Sequence, residues 1–72
     1  DLKAGIYQHY KGNLYQVFHV ATHSETREKL VVYQCLYGDY PMWVRPLEMF
    51  QETVTLADGQ TLPRFKLIQE TS

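Results

Sequence analysis

The sequence predicts an all-β domain, a small SH3-like barrel or roll of five or six short strands with one helical turn. Three observations predict it. Short β-branched and aromatic runs recur at close intervals, turn residues punctuate them every few positions, and only Leu47 to Phe50 reads as helical. A two-sheet sandwich ordinarily needs more than the 72 residues present, so the barrel is preferred and the whole chain, 1–72, is read as one domain.

Each element follows from its residues. Gly5 to Tyr10, G-I-Y-Q-H-Y, is a short strand with an aromatic bias, and Lys11-Gly12-Asn13 turns the chain. Leu14 to Thr22, L-Y-Q-V-F-H-V-A-T, places apolar residues on both faces, which predicts a bulge that changes the buried face partway along. His23 to Lys29 is the longest polar stretch and reads as a loop. Leu30 to Leu36, L-V-V-Y-Q-C-L, is β-branched and nearly continuous, as in a central strand. Tyr37 to Pro41 is a turn, and Met42 to Arg45 resumes as a strand. Pro46, which needs no amide donor, is placed at the first helical position, with Leu47, Phe50 and Met49 facing inward. Val54 to Leu56 and Thr61 to Leu62 flank Asp58-Gly59, a strong hairpin signal, and Pro63 belongs at an edge or strand end. Phe65 to Ile68 is the final strand, and the polar tail Gln69 to Ser72 is expected to fray.

A core this small needs reinforcement. The single cysteine, Cys35, excludes an internal disulfide and fits a reducing, cytoplasmic setting. Aromatic residues make up 14% of the chain, and they are the expected source of cohesion. The formal charge of −1 speaks against a general nucleic-acid binder. No apolar run approaches the roughly 20 residues that would span a bilayer, so no membrane partner is expected.

The motifs G-x-Y-x-H-Y-K-G (Gly5 to Gly12), H-S-E-T (His23 to Thr26) and V-V-Y-x-x-L-Y-G-D (Val31 to Asp39) occur in order. W-V-R-P-x-x-M-F (Trp43 to Phe50) and P-R-F (Pro63 to Phe65) complete the set. Together they resemble a bacterial family known as domain of unknown function 1653. The resemblance covers almost the whole chain. It implies a small bacterial domain with an SH3-type barrel, and it brings no activity, cofactor, ligand or catalytic set with it.

The residues themselves are read against several chemistries. His19 and His23 have helical ligand spacing but lie on a strand running into a loop, where residues four apart are separated by about 13 Å. No metal or cofactor is therefore expected. Cys35 lies inside the most apolar strand and reads as a small buried hydrophobe rather than a nucleophile. Glu48 and Glu52 read as solvated carboxylates. The remaining constellation is aromatic plus arginine. A guanidinium near exposed rings can grip an anionic or planar group, and Tyr37, Tyr40, Trp43, Arg45 and Arg64 lie near turns and strand ends. With His23 and Glu25 of the H-S-E-T loop they form the candidate ligand-binding set. Trp43 and Arg45 share a strand face. Scarcity of other core material favours an inward, structural Trp43 beside Leu36, Leu47 and Phe50, whereas Tyr40, Met42 and Arg45 are expected at the surface. The expected function is a non-enzymatic module binding a peptide, a protein or a small anionic ligand. The alternatives are a nucleic-acid- or ribosome-associated barrel and a small enzyme using His23, Glu25 or Cys35. A homodimer is expected if Tyr40, Met42 and Leu56 are exposed together.

Overall fold

The computed structural model describes residues 1–71. Seven strands and one helical turn follow in the order β1 (Gly5–His9), β2 (Leu14–Thr22), β3 (Lys29–Cys35), β4 (Met42–Pro46), α1 (Leu47–Phe50), β5 (Thr53–Thr55), β6 (Thr61–Pro63) and β7 (Phe65–Glu70). Five of them form one antiparallel sheet in the order β4-β3-β2-β1-β7, and β5 and β6 pair separately. The chain is all-β, with more strands than the five or six expected. The two short runs beside Asp58-Gly59 make a hairpin of their own rather than extending the main sheet. That hairpin is set by its turn chemistry. Gly59 takes φ 88°, and the Asp58 carboxylate accepts the Gln60 N–H at 3.0 Å.

β2 bends where its pattern requires it. Pairing with β3 runs Tyr15↔Cys35 and Val17↔Tyr33, then shifts so that His19 meets Val32 and Val20 meets Val31. Phe18 is the residue passed over. The bulge returns Val20 to the inner face after Val17, which accounts for apolar residues in both phases of the run. The bend curls the sheet into a roll, and its two outer strands, β4 and β7, are not hydrogen-bonded to each other. Side chains span the gap instead: the Arg45 guanidinium lies 5.9 Å from the centre of the Phe65 ring.

The interior is built from rings. Tyr7, Tyr15, Val17, Val31, Tyr33, Cys35, Phe50 and Phe65 are buried, and among the described residues no charged or polar one is. Phe50 from α1 stacks flat on Phe65 at 4.1 Å, while Tyr7 and Tyr33 present ring edges to Phe50 at 5.5 and 5.4 Å. The buried Tyr7 keeps its hydroxyl satisfied by donating to the Lys3 carbonyl at 2.6 Å.

Three local expectations are corrected. Pro46 closes β4 with φ −53° and ψ 135°, so the helix begins one residue later, at Leu47. Leu36 and Leu47 are only half-buried and Met49 is exposed, because Phe50 alone from this corner reaches the centre. The tail does not fray at Gln69 or Glu70. β7 continues through Glu70, and the Thr71 N–H bonds to the Ala4 carbonyl at 3.0 Å. Ser72 lies outside the described residues.

Gly5 marks a close approach of β1 to β7. A Cβ at this position would sit 2.5 Å from the Gln69 carbonyl oxygen and 2.7 Å from Leu67 Cδ1. Backbone cannot yield as a flexible side chain can, so Gly5→Ala is expected to cost about 1–3 kcal/mol in a urea titration. An unchanged midpoint would show that the β1–β7 seam is looser than this geometry.

Candidate functional site

The site is best built outward from β3. Residues paired across antiparallel strands share a face, so the register Tyr33↔Trp43 and Val31↔Arg45 puts Trp43 and Arg45 on the inner face with Tyr33 and Val31. Trp43 is nevertheless 45% exposed. This corrects the expectation that it fills the core. β4 is the terminal strand, and the neighbouring interior space is taken by Phe50, so the indole packs at the rim. It lies 6.2 Å from Tyr33 and 6.4 Å from Tyr15 and turns its remaining surface outward.

Around it gather Tyr15, Tyr33, Tyr37 and Phe65. Tyr15 is the hub, with Tyr33 at 5.6 Å, Tyr37 at 5.6 Å and Phe65 at 5.4 Å. The Tyr15 and Tyr37 hydroxyls are hydrogen-bonded to each other at 3.0 Å. The bond to Tyr15, followed by desolvation, raises the Tyr37 hydroxyl pKa well above the ordinary tyrosine value. Burial also raises that of Tyr33, while the adjacent Arg45 guanidinium pulls in the opposite direction. Both hydroxyls therefore stay protonated and serve as neutral donors at neutral pH.

The cations of this face are incompletely satisfied. The Nε atoms of Arg45 and Arg64 are shut off from solvent without a hydrogen-bond partner. Among the described residues there are two ion pairs, Lys3–Glu70 at 3.4 Å and Arg64–Glu52 at 3.5 Å, and neither involves Arg45. Arg45 is thus a half-buried guanidinium with an aromatic ring beneath it and no carboxylate partner. That combination favours an incoming anion.

His9 joins the cluster through Phe65, at 5.0 Å, and Tyr15, at 6.4 Å. Its Nδ1 accepts the Lys11 N–H at 3.1 Å, which fixes the neutral tautomer with the proton on Nε2. Burial, then Arg64, Lys11 and Arg45, lower its pKa below the ordinary 6.5. As pH falls the unfolded chain takes up this proton first. The stability contributed by neutral His9 is complete above about pH 6.5 and is lost as pH drops from there through the folded-state value. The melting temperature should therefore fall between pH 7.5 and 5, and less steeply in His9→Asn, whose amide oxygen can accept the Lys11 N–H without titrating. Equal slopes would remove His9 from this account.

The candidate residues divide cleanly. Tyr37 and Trp43 both pack on Tyr15 and Arg45 lies over Phe65, so these three border one ring cluster, while Arg64 is tethered to Glu52 near His9. His23 and Glu25 do not border it. They lie beyond the Thr22–Lys29 end of the β2–β3 hairpin, about 20 Å along the strands from the Tyr15–Cys35 end. His23 organises its own loop: its Nδ1 accepts the N–H groups of Glu25 and Thr26 at 3.1 and 3.2 Å. Tyr40 is exposed in the β3–β4 turn at φ 54°, outside the ring cluster. Cys35 is fully buried beside Tyr15, remote from His23, so these two do not meet at a common substrate.

Sequence reasoning missed Tyr15, Tyr33, Phe65 and His9. The first two could have been found by carrying the alternation of Tyr33 and Cys35 across to β2.

Other parts of the molecule offer less. One surface hollow of about 570 Å³ is lined by Leu2, Phe18, His19, Val20, Leu47 and Gln51 among others, without a gathered set of rings and cations. The lysines are scattered: Lys3 on Glu70, Lys29 on Thr22 and Lys11 over Tyr10. Among the described residues no group of three or more His, Cys, Asp or Glu is placed to hold a metal ion. Nor, among the described residues, is any helix long and apolar enough to cross a membrane.

The comparisons with known proteins bear on family rather than chemistry. No curated protein matches the chain. A crystal structure of a DUF1653 protein from Bordetella bronchiseptica superimposes with a TM-score of 0.87 at 38% identity, covering 100% of this chain and 94% of that one. The family model described as protein of unknown function (DUF1653) matches residues 5–67, and with most of its length matched the chain belongs to the DUF1653 family.

Proposed function

We propose that this domain is a non-enzymatic binding module of a reducing, cytoplasmic setting, and that it takes a small anionic group through the rim formed by Tyr37, Trp43 and Arg45. The group is either free or carried on a peptide or protein. The observation that carries this reading is Arg45. Its Nε is buried without a partner, its guanidinium lies over Phe65, and no carboxylate neutralises it. An atom closed to water is closed to a ligand as well, so the anion is held by the terminal N–H groups of the guanidinium, which are not among the buried unpaired atoms and carry the same charge. The neighbouring rings add a surface for a planar part of the ligand. The hydroxyl pair of Tyr15 and Tyr37 adds hydrogen bonding beside it.

Trp43 is the only tryptophan and sits within this rim, so its fluorescence reports occupancy directly. Titration with benzoate, phenyl phosphate, a phosphotyrosine peptide and a nucleoside monophosphate should give a saturable change with at least one of them. Neutral analogues of equal shape should give none. Identical responses to charged and neutral members would overturn the anionic reading, as would no response to any of them.

A further inference from the structure

Strand β4 is an open edge of unusual composition. Tyr40, Met42, Trp43 and Val44 are all exposed, Val44 at 61%, so the edge is almost wholly apolar. The opposite edge is different. β7 carries Lys66 and Glu70, and Glu70 is paired with Lys3. Charges of that kind blunt an edge against further pairing, and on β4 the only charged residue is Arg45.

The backbone of β4 has a definite pattern of free groups. The Cys35 N–H bonds to the Pro41 carbonyl at 3.0 Å, flanking the Gln34↔Met42 pair. In an antiparallel ladder this makes Tyr33↔Trp43 and Val31↔Arg45 the hydrogen-bonded pairs. Trp43 and Arg45 therefore spend their amides on β3. The N–H and C=O of Met42 and Val44, and the C=O of Pro46, point away from the sheet.

The geometry points to a homodimer in which β4 pairs antiparallel with β4 of a second copy, about a two-fold axis at Val44. In that register each Val44 N–H donates to the Val44 carbonyl of the other copy, and each Met42 N–H donates to the opposing Pro46 carbonyl. Both free donors on each chain are used. Pro46 has no N–H to return to the opposing Met42 carbonyl, so that one acceptor at each end of the pairing is left to water. A one-residue slip would instead set the outward-pointing amides of one copy against residues whose amides already belong to β3. The side chains complement one another as well. Trp43 lies directly opposite Arg45 of the second copy, at the closer, non-hydrogen-bonded spacing, so the axis creates two cation–π pairs on one face. Two five-stranded sheets become one continuous sheet, with both ring clusters on the same side. This inference rests on the edge itself, and because it draws Trp43 and Arg45 toward each other across the axis, a bound anion competes with the dimer for these side chains.

Light scattering of the intact chain from about 10 μM to about 1 mM, a range in which a weak interface fills, should show the mass rise toward twice the monomer. Val44→Pro removes the two central donors at an edge position where proline is tolerated. Its mass should stay that of a monomer while its circular dichroism remains native. Amide exchange on the wild type provides a second measurement that needs no variant. Val44 and Met42 N–H groups should slow at least about tenfold between the low and high concentrations. A wild-type chain that stays monomeric at the highest concentration would overturn the proposal and leave the edge for a foreign strand. A dimer with unprotected Val44, or one that survives in folded Val44→Pro, would place the contact on another face and equally overturn it.

Discussion

Replacing Phe50 by Ala is expected to remove about 3–5 kcal/mol of the chain's stability. Phe50 is 1% exposed, it forms the flat stack on Phe65, and it receives the ring edges of Tyr7 and Tyr33. It is also the one fully buried residue of α1, with Leu47 only partly buried against the same core. Removing a buried phenylalanine costs about 3–5 kcal/mol, the lost transfer energy plus the cavity left behind. At the usual 0.05–0.15 kcal/mol per residue, a chain of this length has roughly 4–11 kcal/mol in total. The loss is therefore between about a quarter of that margin and the whole of it. Relaxation is constrained, because the cavity walls are rings already in contact with one another. Phe50→Leu, which keeps most of the volume, should recover about half of the loss. Urea denaturation followed by Trp43 fluorescence measures both. A Phe50→Ala midpoint within about 1 kcal/mol of wild type would mean that the interior does not depend on this stack.

Phe50 and Phe65 also show what was legible beforehand and what was not. Local chemistry transmits well: the Asp58-Gly59 hairpin, the β2 bulge and the buried Cys35 all follow from short-range pattern. The Phe50–Phe65 stack joins residues brought together only when the roll folds, and strand pattern is silent on such a meeting. Trp43 illustrates a second limit. Alternation assigns it to the inner face, but whether that face is covered depends on β4 being the terminal strand, which is a property of topology. His23 illustrates a third. Nearness to turns groups it with Tyr37, yet the antiparallel β2–β3 hairpin sends the ends that carry these two residues in opposite directions. Proximity of loops is set by strand order, and strand order is the part of an all-β fold that sequence expresses least directly.

Once a Trp43 fluorescence change identifies a responsive anion, Arg45→Ala should weaken its binding by roughly 10- to 150-fold, the range for losing a charge-assisted hydrogen bond of about 1.5–3 kcal/mol. Arg45→Lys should not restore it fully, since an ammonium lacks the planar fork that lies over Phe65. Arg64→Ala should cost less, because Glu52 already neutralises part of that charge. His23→Ala should leave affinity unchanged while lowering stability by about 1–2 kcal/mol, through the two amide bonds its ring accepts in the loop. The pH dependence of binding should run opposite to that of folding. A bound anion favours protonated His9, whose lowered pKa owes part of its depression to Arg64, Lys11 and Arg45. Affinity should therefore rise as pH falls below about 6.5, in the same interval where the free protein loses stability. Equal affinities for wild type and folded Arg45→Ala would place the anion elsewhere. A loss in His23→Ala as large as that in Arg45→Ala would move the site to the far end of the hairpin.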